Sequence, residues 1–371
     1  MNKIKIFILI FFLAGCRDRF DLPVRDNDLS LLVVEGVLNA GQGSTNISLS
    51  RTVKLNDTKS FKPELKAKLS VEGKNGGVFN FSETGNGNYT NSQLPLVTGQ
   101  EYRLRIQTSD NKQYLSDYVV AKQTPAIDSI SWKKKNGSVT IYANTHDPNN
   151  KTQYYKWDYD ETWEIRSFYY AEFQWTTGTT IVPSPGYHNV CWKFDKSTSI
   201  KIASTIQLQS DVVSEAPLID IPPSSEKLSV RYSIDVRQQA LTKEAYEYLQ
   251  LMKKNTESLG SIFDAQPSEL KGNIKCLTDP GEGVIGYLTA SSIAEKRIFI
   301  TAQEAGWLYP QDCPFFEVPN NRDSISNWVP GYLPFSAAKE NFGIVTRYNF
   351  APAQCVDCVT RGGNLNKPSY W

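Results

Sequence analysis

Apolar and polar residues alternate along several short segments in the first third of the chain. The alternation is clear in Leu65–Val71 and in Tyr102–Ile106, where every second residue is apolar. A period of two places alternate side chains on opposite faces of a strand. Gly- and Asn-rich clusters such as Asn39–Gly43 and Lys74–Gly77 separate these segments and predict turns. Short strands at regular spacing predict an immunoglobulin-like β-sandwich over residues 31–123.

The pattern changes after Gln123, and residues 124–371 are predicted to form a second β-rich, sandwich-like domain. The one helical stripe lies near residues 242–258, with Thr242 as its N-cap. Val284–Ala290 is predicted as a returning strand, whereas residues 302–371 show little period and predict a loop-rich lobe. The predicted fold class is therefore mainly β, and α+β overall.

The first residues predict export and attachment to a membrane. Lys3 and Lys5 precede an apolar run that is too short to span a bilayer but has the length of a signal-peptide core. The run ends in Leu-Ala-Gly followed by Cys16, which resembles the bacterial lipobox. We therefore predict a signal peptide over residues 1–15, lipidation of Cys16 and a tether over residues 16–30. The alternative is a plain secretory signal with an incidental cysteine.

Charge and composition exclude some classes of function. The chain has 371 residues with 40 Lys and Arg against 39 Asp and Glu, so there is no basic excess to bind nucleic acid. Removal of the signal peptide subtracts two lysines, which leaves 38 against 39 and a net charge of −1. Only two histidines are present, which argues against sites built on several His ligands. We predict no cofactor and no metal.

Five cysteines remain after Cys16, and an exported protein is expected to oxidise them to disulfides. The candidates are Cys191, Cys276, Cys313, Cys355 and Cys358. An odd number favours two bridges and one free thiol, and sequence leaves the pairing open. Cys191 lies beside Trp192 and could be the buried free thiol. The C-x-x-C spacing of Cys355 and Cys358 leaves zinc binding and redox activity as alternatives.

Aromatic residues are concentrated in one segment, with ten of them in the 22 residues from Tyr154 to Trp175. Because a strand directs only alternate side chains inward, we expect some of these rings to be exposed and to bind a ligand or a protein partner. The alternative is that they fill a sandwich core. The candidate binding residues are Tyr155, Trp157, Tyr159, Trp163, Tyr169 and Trp175.

Other motifs suggest little chemistry. Residues 281–286 spell G-x-G-x-x-G, but they run into a predicted strand rather than a helix, so a turn is expected instead of a dinucleotide site. His146 and His188 have no nucleophile motif beside them. Carboxylate pairs around residues 158–164 could serve a glycosidase only if they flanked a cleft.

Several blocks of sequence resemble one family, the domain of unknown function 4249. They include Leu228–Ile234, Leu259–Asp264, Val284–Tyr287, the pair Gly362–Gly363 and the ending Lys367–Trp371. The family usually ends in an acidic residue followed by Phe-Trp, whereas Ser-Tyr-Trp stands here. The chain is similar to outer-membrane lipoproteins of Bacteroidota that are often encoded beside a TonB-dependent receptor, and no catalytic residues can be carried over.

The resemblance and the lipobox together imply a lipoprotein of the outer membrane that faces the cell surface. The leading hypothesis is a non-enzymatic accessory or binding subunit of a TonB-dependent transport system, with the outer-membrane receptor as its partner. A surface glycan- or peptide-hydrolase and an adhesin or structural envelope protein are the alternatives. We also expect Trp371 to dock against the fold.

Overall fold

The computed structural model describes residues 30–53, 61–176, 180–184, 186, 188–257, 270–328, 331–340 and 343–371. The predicted signal peptide, Cys16 and nearly all of the tether lie outside the described residues. So does Leu259–Gly260, where the helix was predicted to end.

The first part of the chain forms a sandwich of two sheets. Its strands are β1 (Leu32–Asn39), β2 (Thr45–Arg51), β3 (Lys62–Pro63), β4 (Lys68–Gly73), β5 (Val78–Asn80), β6 (Ser82–Gly85), β7 (Asn88–Asn91), β8 (Glu101–Gln107), β9 (Gln113–Ser116) and β10 (Val119–Val120). One sheet contains β1, β2, β3, β6 and β7, and the other contains β4, β5, β8, β9 and β10. The alternation in β8 buries Tyr102, Leu104 and Ile106 in the core. β4 begins only at Lys68, because Lys66 has a positive φ of 59° that interrupts the predicted strand.

The second part forms another sandwich. Its strands are β11 (Ile127–Lys135), β12 (Ser138–His146), β13 (Tyr154–Arg166), β14 (Phe173–Trp175), β15 (Ile181–Pro183), β16 (Val190–Lys196), β17 (Lys201–Ser204), β18 (Val212–Ile221) and β19 (Arg231–Ala240). The three-stranded sheet β11-β12-β18 packs on a sheet in which β13 lies between β19 and the β16 and β17 strands. β14 and β15 pair with each other apart from both sheets.

The predicted helix is α1 (Lys243–Glu257). The hydroxyl of Thr242 accepts a hydrogen bond from the backbone N–H of Ala245 at 3.2 Å, as expected of an N-cap. The buried face carries Ala245 and Tyr248, and it packs on Tyr154 and Leu241 of the second sandwich.

After the helix the chain returns to the first sandwich. The returning strands are β20 (Ile274–Cys276), β21 (Val284–Ile285) and β22 (Thr289–Ser291). β20 pairs with β9, while β21 and β22 pair in parallel with β1. Part of the segment that the sequence placed with residues 124–371 therefore completes the first sandwich, because its apolar side chains fill that core.

The last residue of the G-x-G-x-x-G sequence explains the close parallel pairing. Gly286 has a φ of 139°, and a Cβ on it would lie 2.3 Å from the carbonyl oxygen of Val34. The glycine thus serves a backbone contact between β21 and β1, and the motif leads into a strand as predicted.

The chain then re-enters the second sandwich through β23 (Ile293–Thr301), which pairs with β19. A C-terminal lobe follows, with β24 (Phe316–Pro319), α2 (Arg322–Ser326), β25 (Tyr332–Lys339), β26 (Val345–Pro352) and α3 (Ala353–Val356). The lobe has long loops but also a three-stranded sheet in the order β24-β26-β25. A register shift between Pro334 and Ser336 breaks the period of two in β25, which hid this strand from the sequence pattern.

Candidate functional site

Four of the six aromatic residues proposed for binding lie in the core of the second sandwich. Tyr155, Trp157, Tyr159 and Trp163 are 0–8% exposed and share one face of β13. The opposite face of β13 is also covered, since Tyr154 packs under α1 and Thr162 hydrogen-bonds the Tyr370 hydroxyl. The expectation of exposed rings is therefore wrong for these four side chains, because the period of two places all four on the face of β13 that packs against the opposing sheet.

The other two candidates, Tyr169 and Trp175, reach the C-terminal lobe. The indole N–H of Trp175 donates to the carbonyl of Tyr332 at 3.0 Å, and its ring lies 5.4 Å from that of Phe350. The Tyr169 ring stacks on Phe335 with a centroid separation of 4.0 Å. Both rings are half-buried, and they pack the segment after β13 onto the lobe.

Tyr169 is the centre of an aromatic surface that we call the lobe patch, made of Phe168, Tyr169, Phe315 and Phe335. The ring of Tyr169 contacts Phe168 edge-on at 4.9 Å and Phe315 edge-on at 6.2 Å. Phe168 is 56% exposed and Phe315 is 51% exposed. Two large exposed rings thus flank one half-buried ring, which makes a contiguous apolar surface.

A disulfide holds the lobe patch in place. Cys313 and Cys355 are bonded, and Tyr169 hydrogen-bonds the backbone of both halves of the bridge. Its hydroxyl donates to the Cys313 carbonyl at 2.7 Å, and its backbone N–H donates to the Cys355 carbonyl at 2.9 Å. Phe315 follows Cys313 by two residues and is therefore anchored by the same bridge. Sequence reasoning named Tyr169 but missed Phe315, whose signal was its position next to Phe316 and close to a cysteine.

The second bridge joins Cys191 to Cys358, and among the cysteines that the structure describes Cys276 is the free, buried thiol. The two bridges and single free thiol agree with the cysteine count, but the suggestion that Cys191 is free is wrong. It faces Cys358 because β16 lies beside the short 3-10 helix Cys358–Arg361. Cys355 and Cys358 belong to different bridges, so the C-x-x-C sequence is not a dithiol pair. Across the described ranges, no group of three or more His, Cys, Asp and Glu side chains could hold a metal ion.

The carboxylates and histidines considered for hydrolysis each have a separate partner. These are Asp158 with Lys156 (2.8 Å), Asp160 with Arg237 (2.7 Å), Glu161 with Lys227 (2.7 Å), Glu164 with Arg166 (2.7 Å), His146 with Asp128 (2.8 Å) and His188 with Asp357 (3.2 Å). Burial and the neighbouring Glu161 raise the pKa of Tyr232 well above its usual value, and the Tyr232 hydroxyl donates to Glu161 at 2.6 Å. These ion pairs and hydrogen bonds give each of these carboxylates and histidines a structural role.

The last two residues lie on the sheet that contains β13. Trp371 donates its indole N–H to Glu164 at 3.2 Å and meets the Phe299 ring edge-on at 5.5 Å. The guanidinium of Arg297 lies 3.7 Å from the centre of the Tyr370 ring. The prediction that Trp371 docks against the fold is confirmed. No helix in the described part of the chain is both long and apolar enough to cross a membrane.

The fold and the site define a mainly β protein of two sandwiches with a disulfide-bonded C-terminal lobe. Residues 17–297 match the family described as "Domain of unknown function (DUF4249)", and the chain belongs to that family. None of the curated proteins compared with the chain matches it.

Two solved structures are similar to parts of the chain. One is a segment of two fibronectin type III domains from chicken tenascin, with 13% identity over 55% of this chain and 88% of that chain, and a TM-score of 0.17. The other is a putative carbohydrate binding protein from Bacteroides uniformis, with 12% identity over 58% of this chain and 91% of that chain, and a TM-score of 0.16.

Proposed function

We propose that this protein is a surface-exposed lipoprotein of the outer membrane that acts as a non-enzymatic accessory or binding subunit of a TonB-dependent transport system. The lipobox-like sequence before Cys16 supports the attachment. The family resemblance supports the receptor as partner. Two signals are needed for stable membrane attachment by lipid, and a lipoprotein with several acyl chains meets that need.

The lobe patch is the observation that carries the binding role. Aromatic side chains are enriched at protein interfaces because they bury a large area with few rotatable bonds. Phe168 and Phe315 are exposed, yet both pack on Tyr169, which the Cys313–Cys355 bridge holds. A surface fixed in this way loses little conformational entropy on binding. We assign the lobe patch as the surface that contacts the receptor.

The attachment is tested by growing cells with radiolabelled palmitate. The intact protein is expected to incorporate the label and to sediment with the outer membrane, whereas Cys16→Ala is expected to do neither. Ser30→Ala provides a control for a substitution within the tether. An unlabelled wild-type protein, or one found in the cytosol with reduced cysteines, would refute the proposal.

The partnership is tested by co-purification from native membranes. The wild-type protein is expected to recover a receptor-sized β-barrel, and the double variant Phe168→Ala/Phe315→Ala is expected to recover at most about a tenth as much, since two interface anchors cost several kcal/mol together. The matched control is Phe61→Ala/Phe194→Ala, which removes two exposed rings outside the lobe. Recovery of no barrel, or equal losses in both double variants, counts against the assignment.

A further inference from the structure

A cavity of about 350 Å³ lies where the two sandwiches and α1 meet. β1 contributes one wall through Val33 and Val37, and α1 contributes another through Leu249 and Met252. The floor is formed by side chains of the sheet that contains β13 and β19. Small-molecule sites commonly occupy about 300–1,000 Å³ at junctions between domains, so this cavity lies at the small end of that range.

Gln239 on the cavity floor is the feature that points to a ligand. The residue is only 7% exposed, and within the described residues its carboxamide makes no hydrogen bond. The carboxamide nitrogen and oxygen remain accessible to solvent. The amide therefore faces the cavity with its donor and acceptor unused.

The neighbouring Gln238, in contrast, has all of its carboxamide hydrogen bonds made by the protein. Its carboxamide nitrogen donates to the Pro125 carbonyl at 2.9 Å and to the Thr145 hydroxyl at 3.0 Å, and its oxygen accepts from the Trp157 indole at 2.8 Å. The Gln239 carboxamide has no protein partner of this kind, so its donors and its acceptor are available to a ligand with a complementary group.

The charges beside Gln239 indicate the kind of head group. Lys156 is the cross-strand neighbour of Gln239, and its ammonium pairs with Asp158 at 2.8 Å. Because the two charges compensate each other, the described floor has no unpaired cation for an anionic ligand. Glu35 of β1 also lines the cavity, but it is exposed to solvent, which screens its charge. The carboxamide of Gln239 offers one acceptor and two donors, which a neutral amide or hydroxyl group matches.

We propose that this cavity binds a small uncharged amphipathic molecule, whose apolar body lies between β1 and α1 and whose amide or hydroxyl head hydrogen-bonds Gln239. The assignment concerns a site separate from the lobe patch. It therefore stands or falls independently of the receptor partnership.

Calorimetric titration of the full chain with three probes of one apolar body tests the head group. The probes are heptanamide, heptanoate and heptylamine. Heptanamide is expected to bind about tenfold more tightly than either charged probe, which corresponds to one well-made hydrogen bond pair without a buried charge. A lack of heptanamide binding at millimolar concentration overturns the proposal, as does equal or tighter binding of the acid or the amine.

Variants test the position of the site. Gln239→Leu is expected to weaken heptanamide binding about tenfold and, because it removes an unpartnered buried amide, to leave the urea midpoint of unfolding unchanged or higher. Met252→Trp is expected to abolish binding by filling the cavity. Gln113→Leu, on the exposed part of β9, is the matched control and keeps wild-type affinity. A lower unfolding midpoint for Gln239→Leu, or unchanged affinity in Gln239→Leu or Met252→Trp, would overturn the assignment.

Discussion

Trp371 shows how much one docked side chain contributes to the free energy of unfolding. Its ring packs against Phe299 and lies 5.2 Å from the Arg231 guanidinium, while its N–H reaches Glu164. We expect Trp371→Ala to lower the free energy of unfolding by about 2 kcal/mol, less than for a fully buried tryptophan. Urea unfolding followed by circular dichroism measures the loss. Trp371→Phe should recover more than half of it, and a loss below about 0.5 kcal/mol would mean that the docking is not stabilising.

The ion pair between His146 and Asp128 can be tested through the pKa of the histidine. A hydrogen bond and the charge of Asp128 raise the pKa of His146 above its ordinary value. A histidine whose pKa is raised by folding stabilises the protein below its unfolded pKa of about 6.5, and this contribution disappears as the pH rises through the folded pKa. NMR titration should give a midpoint above about 6.5. Asp128→Asn should return it to the ordinary value, and an identical midpoint in both proteins would contradict the contact.

At the scale of elements, the sequence predicted what depends on local pattern. The alternation in β8 and the capped stripe of α1 are short-range signals, and both elements form as predicted. The sequence predicted a strand over Val284–Ala290, where two short strands, β21 and β22, form. It did not predict that β20, β21 and β22 join the first sandwich, because that pairing is with β1 and β9, far away in the chain. The burial of Trp157 depends on the opposing sheet, and that of Tyr154 on α1. The period within β13 alone specifies neither covering element, because each depends on how other segments of the chain pack against β13.

The two disulfides act on different lengths of chain. Cys313–Cys355 closes 42 residues, and Cys191–Cys358 closes 167. The chain-entropy relation gives about 4 kcal/mol for the shorter loop and about 5 kcal/mol for the longer one. We expect the Cys191→Ala/Cys358→Ala pair to lose more stability than Cys313→Ala/Cys355→Ala in urea unfolding. Only Cys313→Ala/Cys355→Ala should weaken recovery of the receptor, because only this pair releases the lobe patch. A larger stability loss for Cys313→Ala/Cys355→Ala, together with weaker receptor recovery for Cys191→Ala/Cys358→Ala, would contradict these separate roles.

At the scale of the whole molecule, an ion-pair cluster ties the segment that returns from the second sandwich to strands of the first sandwich. Glu282, between β20 and β21, accepts hydrogen bonds from Arg51 at 3.0 Å and from the Tyr114 hydroxyl at 2.6 Å, and it pairs with Lys112. The side chains of Arg51 and Glu282 are only 9% and 8% exposed. Burial alone would raise the pKa of Glu282, but hydrogen bonds from Lys112 and Tyr114 hold it below its usual value. Its contribution to stability is therefore present at neutral pH and lost as the pH falls through the folded pKa.

The insertion of β20–β22 between β19 and β23 of the second sandwich predicts that the two sandwiches unfold together. All eight tryptophans lie between Trp132 and Trp371, so tryptophan fluorescence reports on the second sandwich and the lobe but not on residues 31–123. Glu282→Gln removes one of the two carboxylate partners of Arg51 and leaves Glu64 as the other, and it should cost about 2 kcal/mol in the first sandwich. If β20–β22 couple the sandwiches, the fluorescence transition in urea shifts by the same amount as the circular dichroism transition.

The control is Glu101→Gln, which removes an exposed pair with Lys74 in the first sandwich and should shift neither transition. A shift in circular dichroism without one in fluorescence would show that the sandwiches unfold independently, because the mutated contact would then stabilise only the half of the molecule that lacks tryptophan.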